Sequence, residues 1–331
     1  MGSLTQDAIK IKKSGNTATV PLKEVLADRF SSSVPAPASF LDVLKELEDY
    51  TKDQIREKEK QMGIKIKEPH QNAFNNCRGG WSEFIFAAYS WNELAEINRS
   101  NYESGGPIYI FVKLPNNKND KTKWTAALDD KHGKVIRAFD RTSADDEEVR
   151  ISGHESFLLN SSNPDVAIFK YSRKKFDSLC ASIPLNPCED IKDLSLDTQE
   201  KLEKVFDHLK RTVAPRKNLH CFLSVKDSLK PDRRLQFLHE GNNVKTILLY
   251  LINERNACDT MLQYNILHNM YYAISFSIVS PGDRKSLDAA MVACLTSPSL
   301  PKTWAVDKLF ECLSQNDVKQ LYSSIITPPI S

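Results

Sequence analysis

Residues 222–241 read Phe222-Leu223-Ser224-Val225-Lys226-Asp227-Ser228-Leu229-Lys230-Pro231-Asp232-Arg233-Arg234-Leu235-Gln236-Phe237-Leu238-His239-Glu240-Gly241. The run opens within a strand expected from Leu219 to Val225. Strand side chains alternate faces, so Phe222, Ser224 and Lys226 share one face, and Leu223 and Val225 the other. A lysine ending such a strand is ordinarily a surface residue. Glu240 stands at the mouth of a helix expected from Asn242 to Ile252, where a carboxylate is ordinarily a helix-end charge. Upstream, Ser162-Asn163-Pro164-Asp165-Val166-Ala167-Ile168-Phe169 places a carboxylate just before a short apolar strand, residues 166–169. Pro164 fixes its own φ and biases Asn163 toward extended backbone. The ordinary reading of Asp165 is a turn aspartate that accepts nearby backbone N–H groups.

Outward from these segments, helical and strand patterns alternate. Ser39 with Asp42 resembles a capping box, and Phe40, Leu41, Leu44, Leu47 and Ile55 recur at helical spacing up to a stop at Gly63. Asn75 to Gly80 reads as a turn opening a second helix with Glu83, Ile85, Phe86, Tyr89 and Trp91. Pro107 to Leu114 reads as a strand, Asn116 to Lys123 as a polar loop and Ser143 to Glu148 as an acidic surface stretch. Asp197 to His208 reads as an amphipathic helix. Ala273 to Val279 reads as a strand, followed by short helices split by Pro298 and Pro301. The first 37 residues look irregular, with a basic cluster (Lys10, Lys12, Lys13) and a Ser/Pro/Ala stretch from Ser31 to Pro37. The alternation predicts an α/β class. The expected division is an amino-terminal arm and helical subdomain over 1–75 and a catalytic and recognition domain over 76–331.

Composition narrows the function classes. The chain has 331 residues, 40% apolar and 27% charged, a globular balance that excludes global disorder. No apolar run approaches the roughly 18–20 residues of a membrane helix. The start, Met1 to Asp7, lacks a charged segment followed by an apolar one, so secretion is not expected. Seven scattered cysteines without a CxxC pair suit free thiols in a reducing compartment. Seven histidines show no HExxH spacing, which disfavours a zinc hydrolase. A net charge of +2 does not by itself indicate nucleic acid, yet Leu209 to Arg234 carries eight Lys or Arg and two Asp, a local +6. That stretch is either a solvated basic face or a phosphate-contacting one.

Asp165, Lys226 and Glu240 together make a set suited to metal-assisted phosphodiester cleavage. Carboxylates are hard oxygen ligands for Mg²⁺ beside a phosphate. The ion neutralises developing charge and lowers the pKa of a bound water. A lysine beside that water can orient it and stabilise the transition state.

The segments also resemble, in order, the motifs of the CCGG-core type II restriction endonucleases, a branch of the PD-(D/E)XK nucleases. That branch has Pro-Asp, a distant Ser-x-Lys, and a Glu further on that replaces the acid most relatives keep two residues before the Lys. Here Pro164-Asp165, Ser224-Val225-Lys226 and Glu240 fall in those places, and Ser224 occupies the vacated one. Phe74-Asn75-Asn76-Cys77-Arg78-Gly79-Gly80-Trp81-Ser82-Glu83 resembles the branch's helix bearing a further active-site glutamate. The matches span residues 74–241.

The resemblance implies a mixed central sheet flanked by helices. It implies Asp165 as principal metal ligand, Lys226 acting on the attacking water, and Glu240 and Glu83 completing the metal and water shell. The Val225 carbonyl can also touch a metal. It implies Mg²⁺, two ions per active site, and a staggered cut leaving 5′ overhangs with 5′-phosphates. The branch reads bases with Arg-x-Asp-Arg after the lysine, here Lys230-Pro231-Asp232-Arg233. Arg233 can donate twice to guanine O6 and N7, and Asp232 can accept from cytosine N4. Lys230 departs from the pattern, since an ammonium lacks the planar guanidinium fork. Arg234 is expected at a phosphate. His239 is expected to pack beside the site.

The expected target is a palindrome with a CCGG or CCNGG core, read by a homodimer or by a tetramer of two paired dimers. The expected setting is the cytoplasm of a prokaryote, with a cognate DNA methyltransferase acting on the same site. Two other readings stay open. A repair or recombination nuclease of the same fold does not need the Asp232-Arg233 pair. A non-cutting DNA-binding protein would be expected to have lost one of Asp165, Lys226 or Glu240.

Overall fold

The computed structural model describes residues 8–12, 16–34, 39–115, 163–212, 218–253, 267–290 and 303–326. The loop expected over Asn116 to Lys123, the acidic stretch Ser143 to Glu148 and the breaks at Pro298 and Pro301 lie outside the described residues. The described residues between 8 and 34 are more regular than their composition suggests. β1 (Ile11–Lys12) pairs antiparallel with β2 (Thr17–Ala18), and α1 (Leu22–Arg29) follows. Val25 and Leu26 of α1 are fully buried, so this short helix gains its stability from packing.

α2 (Phe40–Met62) begins and ends where the sequence places it. The Ser39 hydroxyl accepts the Asp42 N–H at 3.4 Å, and Gly63 takes the left-handed conformation, φ 63°, that closes the helix. Its buried stripe is Phe40, Val43, Leu44, Leu47, Thr51 and Ile55.

α3 (Gln71–Ser104) differs from the expectation. It starts before Asn75 to Gly80, and that whole segment is helical rather than a turn. The glycine serves a close approach instead. A Cβ on Gly80 would lie 2.7 Å from Leu22 Cδ1 of α1. At the next residue, the Trp81 indole N–H donates to the Leu22 carbonyl at 2.9 Å. α3 therefore runs unbroken across residue 75.

The remaining elements are β3 (Ile108–Lys113), β4 (Val166–Tyr171), α4 (Arg173–Cys180), α5 (Leu196–Thr212), β5 (Leu219–Lys226), α6 (Pro231–Asn253), β6 (Tyr271–Ser275), α7 (Pro281–Asp288), β7 (Lys308–Glu311) and α8 (Gln315–Ile326). Five strands make one sheet in the order β3-β4-β5-β6-β7. The pairs β3·β4 and β4·β5 are antiparallel, whereas β5·β6 and β6·β7 are parallel. The sheet is mixed, and helices flank it: α3 packs on β3 and β5, α5 on β3, and α6 on β6. β3, β5 and β6 are almost wholly buried, which explains their near-continuous apolar sequences.

Two boundaries moved relative to the sequence reading. α6 begins at Pro231 rather than near Asn242. Proline at the first helical position lacks only an N–H that the helix would leave orphaned. The Lys230 carbonyl then accepts the N–H groups of Arg233 and Arg234. β6 spans Tyr271–Ser275 and stops short of the expected Val279: the Ser275 hydroxyl accepts the Ser277 N–H at 3.1 Å in a turn, and Ser280 then caps α7 by accepting the Asp283 N–H at 3.1 Å.

Directions of the strands fix where chemistry can gather. Lys113 ends β3, Val166 starts β4 opposite it, and Lys226 ends β5, so all three meet at one end of the sheet. Arg173-Lys174-Lys175 opens α4 at the opposite end, beyond Tyr171.

Candidate active site

Asp165 is held in place by the sheet ladder on both sides. Its carbonyl accepts the Leu114 N–H at 2.9 Å and its N–H donates to the Leu223 carbonyl at 3.1 Å. The carboxylate is buried and turned to β5, where Oδ2 accepts the Val225 N–H at 2.7 Å and lies 3.1 Å from Lys226 Nζ. On the other side, Glu240 Oε1 lies 3.6 Å from the same ammonium. Glu240 is fully buried in the middle of α6, not at its mouth. Its second oxygen accepts the Tyr271 hydroxyl at 2.9 Å. One cation thus sits between two carboxylates contributed by different elements.

Electrostatics follow from this packing. Burial alone pulls the Lys226 ammonium down, but Asp165 and Glu240 outweigh it, and the lysine is held above its ordinary range and stays charged. Burial pushes the Glu240 carboxyl up, with Lys226 opposing and Asp165 adding to the rise. The Tyr271 hydroxyl, donating to Glu240, favours its carboxylate form.

Glu83 reaches this strand end from α3, where it pairs with Lys113 at 2.9 Å. Burial raises Glu83 and Lys113 opposes the rise. Burial lowers Lys113, but Glu83 outweighs it and the net shift is upward.

The residues expected to read bases lie at the start of α6, ahead of Glu240 on the same helix. Lys230 and Asp232 are exposed, and Arg233 is partly so. Arg233 Nη1 donates to Gln236 Oε1 at 3.3 Å, and its Nε is 3.8 Å from Asp232 Oδ2. Arg234 departs from the expectation of a phosphate contact. Its Nη1 is 2.5 Å from Asp283 Oδ1, which commits it to tying α6 to α7. His239 is exposed rather than packed beside the site. Of the basic stretch from Leu209 to Arg234, Arg216 and Lys217 lie outside the described residues.

Three site neighbours were not singled out from sequence. Lys113 ends an apolar strand just as Lys226 does, and that parallel is the signal that points to it. Arg78 lies 3.6 Å from Asp227 and 3.5 Å from Glu48, joining α3 and α2 to the residue after Lys226. It lies within the segment quoted around Glu83. Tyr271 carries no sequence signal at all.

The donor chemistry fits a hard divalent cation. Among the described residues no three His, Cys, Asp or Glu side chains form a metal cluster. Mg²⁺ does not need one, since it keeps several waters and takes one or two carboxylates plus substrate phosphate oxygens. Asp165 and Glu240, already gathered around one positive charge, make such a pair. Among the described residues no helix is long and apolar enough to cross a membrane.

A mixed sheet flanked by helices, with an Asp–Lys–Glu set at one strand end, defines a chain of the restriction-endonuclease type. Comparison with known proteins narrows that class. The family model for the Cfr10I/Bse634I restriction endonuclease matches residues 6–328, and the chain belongs to that family. It is 26% identical over 295 residues to the type II restriction enzyme Cfr10I of Citrobacter freundii, covering 87% of this chain and 88% of the relative. The solved Bse634I restriction endonuclease superposes with a TM-score of 0.71 at 23% identity, covering 97% of this chain and 98% of that one. A crystal structure described as type IIF restriction endonuclease Bse634I with cognate DNA gives 0.67 at 23% identity, covering 98% and 99%.

Proposed function

We propose that this chain is a Mg²⁺-dependent, site-specific deoxyribonuclease that cuts both strands of a palindrome with a CCGG or CCNGG core, leaving 5′ overhangs with 5′-phosphates. The observation that carries this reading is one helix bearing two functions: Asp232 and Arg233 are presented on the first turn of α6, and Glu240 enters the acid–lysine site from its middle. DNA as the partner is supported by the relative solved with its cognate DNA.

Asp165 and Glu240 would hold the cation, with the Val225 carbonyl as a further candidate ligand. When bound, Mg²⁺ neutralises phosphate charge and acidifies a coordinated water. Lys226, kept charged by its two carboxylates, donates to the attacking water and steadies charge on the scissile phosphate. Arg233 donates to guanine, Asp232 accepts from cytosine N4, and Lys230 adds a single-point donor. A two-fold dimer, alone or paired into a tetramer, sets one such site on each strand of the palindrome. The setting is a prokaryotic cytoplasm in which a methyltransferase protects the host's own copies of the site.

The test is a digest of a long, fully sequenced DNA with Mg²⁺, followed by sequencing of the fragment ends. Discrete fragments sharing one palindrome and 5′ overhangs are expected, and they supply the flanking bases. Non-specific degradation would point to a repair-type nuclease of the same fold. Tight binding to particular fragments without cutting would point to a DNA-binding protein.

A further inference from the structure

Lys113, a basic residue at this strand end, is not contained in the family motifs quoted above. It ends β3 opposite Val166, and the next residue, Leu114, donates its N–H to the Asp165 carbonyl. Its side chain is only 10% exposed and that of Glu83 15%, so the pair is largely removed from water. The ammonium also lies 4.9 Å from the centre of the Phe84 ring, a second contact that fixes a cation there. The carboxylates Asp165, Glu240 and Glu83 are thus met by two lysines, Lys226 and Lys113, each on its own strand end. An ammonium and a divalent ion compete for the same carboxylate lone pairs.

We propose that Lys113 is a positioning residue that holds Glu83 out of the cation site in the DNA-free protein, so that the protein alone takes a divalent ion through Asp165 and Glu240. This inference rests on reading those two carboxylates as the cation site. Removing the Lys113 charge leaves Glu83 available as a further ligand and strengthens binding. Removing both charges together takes away the pair without adding a ligand and leaves affinity unchanged.

The experiment is calorimetric titration of Mn²⁺ into DNA-free protein, with thermal unfolding in EDTA and in Mn²⁺. Lys113→Met is expected to bind Mn²⁺ about tenfold more tightly or better. It should melt below the wild type in EDTA and recover in Mn²⁺. Lys113→Arg should keep wild-type affinity, and adding Glu83→Gln to Lys113→Met should return affinity to the wild-type level. Weaker binding by the Lys113→Met, Glu83→Gln double variant than by the wild type overturns the proposal, because Glu83 would then already be a ligand. So does a folded Lys113→Met with unchanged affinity. Should Lys113→Met not fold, the double variant, which buries no lone charge, decides alone. Asp165→Asn separates the two readings: if it fails to weaken Mn²⁺ binding, the cation-site assignment itself falls.

Discussion

Lys226 and Lys245 are both buried and both reach acids, yet their surroundings are built differently. Lys245, on α6, meets one carboxylate, Asp307, at 2.6 Å and donates to the Trp304 carbonyl at 2.7 Å. The second Asp307 oxygen accepts the N–H groups of Met270 and Tyr271 at 2.8 and 2.9 Å. One cation faces one anion, and each has further hydrogen bonds. Lys226 faces two carboxylates at longer range, 3.1 and 3.6 Å. Burial pulls both lysines down. At Lys245 the single aspartate does not overcome it, and the net shift is downward. At Lys226 two acids do, and the net shift is upward.

The difference separates structure from chemistry. A balanced, short, fully hydrogen-bonded pair fixes α6 against the β6 and β7 strands. An excess of acid around one lysine leaves negative charge that a divalent ion can neutralise. The two centres are linked, because Lys245 anchors the helix that carries Glu240.

The largest effect that tests this contrast is expected at the acid-rich centre. Asp165→Ala should abolish cleavage while leaving the protein folded, since it removes a cation ligand and relieves the acid excess. Mg²⁺-dependent cutting by the variant, scored on a gel beside a thermal melt, would sink the assignment. Lys245→Met should do the reverse. It leaves Asp307 buried without its cation and should cost about 3–5 kcal/mol of stability. Denaturant unfolding measures that loss, and cleavage per folded molecule should persist under stabilising conditions.

Gly241→Ala tests the link between the centres. Its added Cβ would stand 2.0 Å from the Ala305 carbonyl oxygen and 2.9 Å from the Tyr271 ring. Overpacking of this kind costs about 1–3 kcal/mol. It also pushes α6 off the ring that orients Glu240, so cleavage should fall further than the folded fraction does. Equal losses in the two measurements would show that α6 can shift without moving Glu240. The smallest effect on folding belongs to Arg233→Ala, which should change stability by less than about 0.5 kcal/mol. It should nevertheless weaken specific binding by about 1–3 kcal/mol per base contact. Unchanged discrimination at the core G·C pairs, read from competition binding, would refute its reading role.

Local chemistry was legible wherever it is written in neighbouring residues. Ser39 and Gly63 bound α2 because a cap and a left-handed stop are properties of single residues. The strands at Ile108, Val166 and Leu219 are legible because a strand buried on both faces must be apolar throughout. Asn75 to Gly80 was misread because two glycines favour a turn on local grounds, whereas the approach of Leu22 to Gly80 is a contact with a distant part of the chain. Glu240 was placed at a helix mouth for a similar reason. The polar run from Pro231 to Arg234 hides a helical first turn whose exposed face makes it look like a loop.

The sequence by itself determined the α/β class and the order of the motifs, and its resemblance to a family pointed to Asp165, Lys226, Glu240 and Glu83 as candidates, because residue type and spacing carry that information. Only the tertiary structure decided that Lys113 holds Glu83, that Tyr271 orients Glu240 and that Arg234 serves Asp283. Those pairings depend on which strand ends and helix faces meet, and a one-residue change of register or direction in any strand would exchange every partner.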